Sequence, residues 1–259
     1  MGFKSIHHRL ALDSWYKSPL GCYLIEQIKS KLDSVMSTTF GYYAVQLGGQ
    51  GLTTQIMQNC RVNHVFLMGS ERVGASQGQD VFIDATSLPV ATDSIDLVIL
   101  MHALSQAKEP HAILREVNRV LIPDGKLIII DFNPVSLWGL RHLLQSWLDD
   151  APWAGHYYTA GRLNDWANLL GFEQLHHYKC GYVLPLNYQK LISQSRILSK
   201  FSERWLKFSG ALNVLVFEKN TIPLTPMRKR WVKRQILSPN IARPTVGRGM
   251  NLTKRKYDK

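Results

Sequence analysis

Two short, unbroken runs of apolar residues lie in the middle of the chain, Leu97–Met101 and Leu127–Ile130. Runs without alternating polar positions are typical of strands that helices cover on both faces, as in a parallel sheet. Between the runs, apolar residues recur at helical spacing from Ile113 to Leu121, after Pro110, which a first helical turn tolerates. The pattern therefore predicts a right-handed strand-helix-strand crossover, with both strands parallel and central in an α/β sheet.

The remaining apolar pattern extends this sheet along the chain. Further strands are predicted at 44–47, 65–68, 81–83, 172–176 and 212–217. Helices are predicted over 1–38, 134–148 and 164–170, the last of them ending at Gly171. In the 134–148 helix, Arg141 and His142 are expected on the polar side. The segment Ile122–Gly125 has the composition of a turn that precedes the second apolar run.

A series of short motifs accompanies the crossover. It comprises Asp84-Ala85, Leu88-Pro89, Ser94-Ile95-Asp96, Leu114-Arg115-Glu116, Arg119-Val120-Leu121 and Pro123-Asp124-Gly125. This series resembles the type 11 domain of class I S-adenosylmethionine-dependent methyltransferases, from about Gly41 to Asn133 and more weakly to Lys219. The resemblance implies a Rossmann-like, mostly parallel sheet with an antiparallel last strand, helices on both faces, and S-adenosylmethionine as the methyl donor. Asp124 stands where the family has the first of two closing glycines.

The family's first strand leads into a turn with one acid and three glycines, and the corresponding segment begins at Gln46. Gly48 matches the first glycine, while Gln46, Gln50 and Leu52 replace the acid and the other two glycines. The resemblance implies that the backbone of Gly48 and Gly49 approaches the methionine end of the cofactor. It also implies that Gln46 accepts a hydrogen bond from the cofactor's ammonium group. A side chain at Gly48 is then expected to block the cofactor while leaving the fold intact.

Other cofactor contacts are expected at the ends of the following strands. The resemblance implies that Asp84 accepts from the adenine amino group, that the Ala85 amide meets the ring, and that Glu71 receives the ribose hydroxyls. The alternatives are an Asp84 that only caps its turn and a solvated Glu71. His102 ends the Leu97–Met101 strand, where ligands bind in open α/β sheets. It could pack on the cofactor or act as a base, or it could be a half-buried histidine bonded to backbone.

The methyl acceptor has no motif of its own, because transfer from a sulfonium needs alignment and dry surroundings more than a catalytic group. Four polar residues follow the Leu127–Ile130 strand and could face the acceptor: Asp131, Asn133, His142 and His156. The insertion 182–209 could shape substrate choice. We therefore expect a methyltransferase acting on a small molecule or RNA.

Charge adds a second feature, a strongly basic carboxyl-terminal segment. Residues 221–259 contain 11 Lys and Arg and one acid, hence +10, and residues 1–220 contain 20 and 18, hence +2, which together make +12. The segment is predicted to be a disordered arm that attracts nucleic acid or an anionic membrane surface, and a solubilising tail is the alternative. The chain thus divides into a helical lid at 1–38, a methyltransferase-like domain at 39–220 and this tail.

Several classes of function are disfavoured by what the sequence lacks. No apolar run reaches membrane-spanning length, so a cytoplasmic protein is expected. Cys22, Cys60 and Cys180 are widely spaced, which favours neither disulfides nor a metal site. The chain has no Gly-x-Gly-x-x-Gly, which disfavours a nicotinamide dehydrogenase. The remaining rival is a non-catalytic adaptor that works through the tail. The altered glycine turn favours this rival, and the intact Asp84 to Pro89 segment opposes it.

Truncation tests the assignment of the tail. A chain cut after Asn220 should lose retention of RNA or of anionic vesicles, because it loses a net charge of +10. Its affinity for S-adenosylmethionine should stay within a factor of about two, because distant sites contribute additively. Filter retention, vesicle sedimentation and calorimetry, each over a range of salt, measure these effects. Equal behaviour of both chains toward both probes would leave the segment as a solubilising tail.

Overall fold

The computed structural model describes residues 11–49, 56–57, 59–69, 80–82, 84–145, 155–183 and 210–220. All of them belong to one compact unit. The predicted tail, Glu71, the Gln50–Leu52 part of the glycine turn and nearly all of the 182–209 insertion therefore lie outside the described part of the chain.

A seven-stranded sheet is the centre of the described structure. In chain order its strands are β1 Phe40–Leu47, β2 Arg61–Gly69, β3 Asp80–Phe82, β4 Ile95–Met101, β5 Leu121–Phe132, β6 Phe172–Cys180 and β7 Leu212–Lys219. They lie in the order β3-β2-β1-β4-β5-β7-β6. The first five are parallel, and β7 runs antiparallel to both of its neighbours. The predicted fold class, including the antiparallel last strand, is confirmed.

Helices cover both faces of this sheet. In the described residues they are α1 Pro19–Thr38, α2 Pro110–Val120, α3 Leu137–Gln145 and α4 Ala160–Leu169, with a short helical segment at 11–16. The buried stripe of α1 packs on one face of the sheet, and α2 and α4 pack on the other. Helix α1 begins where the Ser18 hydroxyl accepts from the Gly21 amide at 3.2 Å. None of the described helices combines the length and apolarity that crossing a membrane requires.

The two apolar runs are the central strands, as predicted. Every residue of Leu97–Met101 and Leu127–Ile130 is buried, and β4 pairs in parallel with β5. Strand order reverses between β1 and β4, because β2 and β3 lie on one side of β1 and β5 lies on the far side of β4. Ligands of open α/β sheets bind at the carboxyl ends of strands that flank such a reversal. A ligand-binding site is therefore expected at the carboxyl ends of β1 and β4.

The segment Ile122–Gly125 is a bulge inside β5 and not a turn before it. Pairing jumps from Ile95 with Leu121 to Leu97 with Lys126, so residues 122–125 lie outside the ladder. Asp124 has a φ of 62°, in the left-handed region that Asp tolerates better than most residues. This tolerance explains how an aspartate stands where the resembling family has glycine.

The spaced motifs on either side of β4 form one clamp. The Leu88 amide donates to Glu116 Oε1 at 2.8 Å. The Arg119 guanidinium donates to the carbonyls of Leu88 and Val90 at 3.1 and 2.9 Å, and to Glu116 at 2.6 Å. The hydrogen bond from Arg119 lowers the pKa of Glu116, which keeps this carboxylate ionised as an acceptor. The motif residues thus hold the loop after β3 against α2.

Helix α3 begins three residues later than predicted, and His142 lies on its inward face. The sequence pattern places Arg141 and His142 on its polar side, but the His142 ring stacks on Tyr157 with centroids 3.9 Å apart. Trp138, four residues earlier on the same face, is fully buried. The leucines face outward instead: Leu137, Leu140, Leu143 and Leu144 are all exposed. Packing of the two rings determines this orientation, because they fit among other aromatic side chains.

Gly48 brings the end of β1 against the backbone of β4. Its φ is 78°, and a Cβ at this position would overlap the carbonyl oxygen of Met101. At Gly49, with a φ of 61°, a Cβ would press on the Met101 side chain. The expectation that a side chain at Gly48 leaves the fold intact is therefore wrong, because the neighbouring backbone has no flexible end that could move aside.

Substitution by alanine separates this close approach from a general effect of glycine. Gly48→Ala should lower the free energy of unfolding by about 2 kcal/mol, from strain at positive φ and from overlap with Met101. Gly161→Ala is the control, because it lies in α4 with nothing within 4 Å of an added Cβ. It should be neutral or stabilise by up to about 1 kcal/mol. Urea denaturation measures both variants, and equal stability of the two would contradict the close approach.

Candidate functional site

The candidate cofactor turn lies at the carboxyl end of β1. Gln46 is fully buried, and its Nε2 donates to the carbonyl oxygens of Gly48 at 2.9 Å and Gly49 at 3.0 Å. Both partners accept only, so the orientation of the amide follows from them. Gln46 Oε1 is also buried and has no hydrogen-bond partner among the described residues. The amide nitrogen of this side chain therefore holds the turn, and its oxygen is a buried acceptor that could bind a donor group.

The glutamine is not a weaker copy of the family's acid. A carboxylate at position 46 would direct an oxygen at the carbonyl oxygens of Gly48 and Gly49, where the amide nitrogen now donates. Two hydrogen bonds would be replaced by contacts between acceptors. This chain thus uses a different polar group to hold the same turn.

His102 follows β4 directly and is adjacent to this turn, since Gly48 packs on Met101. Its φ is 53°, an uncommon conformation for a residue other than glycine. Its backbone amide donates to the Ile130 carbonyl at 2.9 Å, and its ring stacks on Phe132 with centroids 4.4 Å apart. Only 2% of the residue is exposed. The imidazole is therefore wedged between the ends of β4 and β5.

Both ring nitrogens of His102 have buried side-chain partners. The Tyr16 hydroxyl lies 2.6 Å from Nε2, and Asp131 Oδ1 lies 3.3 Å from Nδ1. Burial, followed by the nearby Asp131 carboxylate, raises the pKa of Tyr16 well above its ordinary value, so the hydroxyl keeps its proton and can donate. In the tautomer with the proton on Nδ1, Nε2 accepts from Tyr16 and Nδ1–H donates to Asp131. A base oriented by a carboxylate is the arrangement used to remove protons in many enzymes.

The surroundings of this chain of side chains are aromatic and acidic. The rings of Trp15, Trp138 and Tyr157 lie 6.3, 6.0 and 5.2 Å from the ring of Phe132, which itself stacks on His102. Burial raises the pKa of Tyr157, as does Asp131. Burial also raises the pKa of Asp13 to about 6, against the opposing influence of His102 and Lys17. Asp131 Oδ2 is buried and has no hydrogen-bond partner among the described residues.

The predicted adenine site lies along the same edge of the sheet. Asp84 follows β3, and its Oδ1 accepts from the Thr86 amide at 2.9 Å, which is the turn-capping alternative. Its side chain is exposed, and Ala85 packs against the core on the α2 face. Capping occupies one carboxylate oxygen and is compatible with a second role for Asp84.

Of the four polar residues predicted near the acceptor, Asp131 joins His102. Asn133 is buried, and its amide bonds the backbone of Val135 and Gly210, so its role is structural. The exposed His156 donates its backbone amide to Ser105. His142 reaches the aromatic group indirectly, through its stacking on Tyr157. The alternative of a half-buried His102 bonded to backbone is wrong for the ring, because both partners are buried side chains.

Solved structures share this fold. A Thermotoga maritima S-adenosylmethionine-dependent methyltransferase is 13% identical, with a TM-score of 0.60, over 85% of this chain and 100% of that chain. A Haloferax volcanii methyltransferase, solved in complex with the Trm112 methyltransferase activator, is 15% identical, with a TM-score of 0.57, over 81% and 98%. At these identities the likeness concerns the fold alone.

Sequence relatives and a family model agree with the fold. The Escherichia coli K12 protein YafS, itself uncharacterised, is 32% identical over 232 residues, 88% of this chain and 90% of its own length. A demethylmenaquinone methyltransferase of Renibacterium salmoninarum is 35% identical over 86 residues, about a third of either chain. Residues 48–129 match the model described as a methyltransferase domain, a range that begins at Gly48 and includes Asp84 and His102.

The chain belongs to the class I S-adenosylmethionine-dependent methyltransferases. It is therefore an enzyme, and the family's cofactor is S-adenosylmethionine. The matched range starts at the glycine turn and ends within β5, so it excludes Tyr16, Asp131 and α3.

Sequence reasoning missed three residues of this methyltransferase's site, all in the helical segment 11–16: Asp13, Trp15 and Tyr16. All three lie within the predicted helix 1–38, but none of them belongs to a motif. The useful signal is the combination of a predicted amino-terminal lid with a tyrosine and an acid three residues apart, which places both on one helical face.

A substitution at Gln46 tests its role as a donor. Gln46→Glu restores the family's acid but should lower the free energy of unfolding by about 2 kcal/mol, because two buried hydrogen bonds are lost. Gln174→Glu, on the exposed side of β6, is the matched control and should change stability by less than about 0.5 kcal/mol. Thermal and urea unfolding measure both. An unchanged or stabilised Gln46→Glu protein would show that the amide does not hold the turn.

Proposed function

We propose that this methyltransferase transfers the methyl group of S-adenosylmethionine to a small aromatic hydroxyl compound. The observation that carries the proposal is the buried chain from Tyr16 through His102 to Asp131. In that chain, the hydroxyl of Tyr16, itself a phenol, lies 2.6 Å from His102 Nε2. An acceptor with the same group, bound at the carboxyl ends of β4 and β5, would meet a base that is already oriented.

The residues at the end of β1 suit the cofactor. S-adenosylmethionine, when bound, supplies an electrophilic methyl group on a sulfonium sulfur, which is a good leaving group. In the proposal the unpaired Gln46 Oε1 accepts from the ammonium group, and the turn at Gly48 and Gly49 provides close backbone approach. Asp84 and Ala85 hold the adenine at the end of β3. His102 lies next to the turn that would hold the cofactor, because its neighbour Met101 contacts both glycines.

The chain's own residues would then prepare the acceptor. The acceptor hydroxyl takes the place of the Tyr16 hydroxyl on His102 Nε2, and the imidazole takes its proton. Asp131 stabilises the imidazolium through Nδ1–H and holds the ring in position. The rings of Trp15, Phe132 and Tyr157 exclude water and provide faces on which an aromatic acceptor can stack. The oxygen, or a ring carbon that it activates, attacks the methyl group in line.

A small molecule suits the surroundings of His102 better than RNA does. Asp13 and Asp131 are both close to the imidazole, and carboxylates repel a phosphate backbone. The partial match to demethylmenaquinone methyltransferases also supports an aromatic acceptor, since their name designates an aromatic quinone compound. These relatives match about a third of this chain, so they support only the class of acceptor.

Two measurements test the proposed function. Calorimetry with S-adenosylmethionine and S-adenosylhomocysteine should detect binding of both. Formation of S-adenosylhomocysteine should then be assayed with catechols and dihydroxynaphthalenes as acceptors. His102→Gln should lower kcat by about 10²- to 10⁴-fold, the usual contribution of a general base, with cofactor affinity within about threefold. His156→Gln, at an exposed position, is the control and should keep full activity.

The outcomes separate the parts of the proposal. If neither cofactor nor product binds, the adaptor hypothesis takes its place. If both bind and His102→Gln turns over like the parent protein, His102 is not the base. If a raised pH restores the rate of the His102→Gln variant, the lost step is removal of a proton, because the acceptor then ionises unaided. Methylation of RNA in preference to every hydroxyl compound would contradict the proposed acceptor class.

A further inference from the structure

Helix α3 presents an apolar face to solvent. The leucine face, Leu137, Leu140, Leu143 and Leu144, has exposed fractions of 43, 55, 72 and 64%, and Val135 just before the helix is 61% exposed. At 100° per residue, the four leucines fall within an arc of about 120°. Soluble proteins rarely leave contiguous apolar patches of this kind exposed without a partner for them.

The inner face of α3 prevents the helix from rotating to bury these leucines. Trp138 is fully buried, and its Nε1 donates to the Val183 carbonyl at 2.8 Å. A side chain at Gly139 would overlap the backbone of Pro134, in the segment that leads into the helix. His142 stacks on Tyr157. The outward position of the leucine face is therefore a consequence of tight packing on the opposite side.

We propose that the leucine face of α3 docks on an anionic lipid membrane. Helix α3 contains no acidic residue, and Arg141 lies at the margin of the leucine arc, next to Leu137 and Leu144 around the helix. The whole chain carries +12, most of it in the tail. An apolar face with a basic margin on a basic protein is the composition of interfacial helices. Phosphate backbones of RNA offer leucines nothing to bury against, so the leucine face favours lipid over nucleic acid.

Docking in this orientation would bring the candidate acceptor site to the membrane surface. The same helix that carries the leucine face reaches His102 through stacked rings: Trp138 lies 6.0 Å from Phe132, and Phe132 lies 4.4 Å from His102. A lipophilic aromatic acceptor dissolved in the bilayer would then lie on the same side of the domain as the base. This consequence rests on the proposed function, whereas the docking itself does not.

Vesicle binding by the full chain tests the docking. Vesicles of phosphatidylcholine with and without phosphatidylglycerol are the probes, and sedimentation measures the bound fraction. The double variant Leu140→Ser, Leu143→Ser should bind the anionic vesicles at least about tenfold more weakly, because two leucines no longer enter the interface. Leu169→Ser is the control, since Leu169 ends α4 and is 84% exposed away from this face. It should bind like the parent protein.

Salt separates the leucine contribution from that of the charges. In high salt the parent protein should keep more binding than the double variant, since screening weakens charges and leaves apolar insertion intact. Equal binding of the parent, the control and the double variant would overturn the proposal, as would no binding by the parent. A parent dimer that becomes monomeric in the double variant, without vesicle binding, would overturn it in favour of a second copy. Calorimetry of S-adenosylmethionine on the same samples shows separately whether the proposed function fails.

Discussion

A buried imidazole needs a hydrogen-bond partner on each nitrogen. His102 obtains its two partners from segments that are distant from each other in sequence. Tyr16 comes from the amino-terminal helical segment and Asp131 from the end of β5, and all three side chains are almost fully buried. Loss of either partner would leave a buried polar atom unpaired, at a cost of roughly 1 to 3 kcal/mol. The requirement therefore ties the amino-terminal segment to the sheet at the point where strand order reverses.

Gln46 illustrates the same constraint on the cofactor side. Its amide nitrogen satisfies two carbonyls of a tight turn, and its oxygen is left for a ligand. Compared by residue type, position 46 has lost the family's acid. Compared by hydrogen bonds, the glutamine holds the turn through its amide nitrogen, which a carboxylate could not do. The residue type at position 46 and its structural role are therefore separate questions, and only the hydrogen bonds answer the second.

The parts of the fold that could be predicted are those with a strong local signal. The runs Leu97–Met101 and Leu127–Ile130 have no polar position, so only a strand covered on both faces accommodates them. The motif residues from Leu88 to Arg119 were recognisable because their spacing reflects one clamp. Tyr16 was missed, because its partner is 86 residues away and no local pattern records that distance. Site residues contributed by long-range packing escape a reading of the sequence for this reason.

The sequence predicted α3 as a helix with its leucines facing the core, whereas in the structure the leucines face outward. Hydrophobicity alone directs leucines to the core and His142 to solvent. In this domain the inner surface is already aromatic, and flat rings such as Trp138 and His142 stack there better than branched leucines do. The leucines are left outside by this preference. A helix with rings on one face and leucines on the other leaves room for polar groups only at its margins, so the exposed apolar surface is the cost of packing the rings inside.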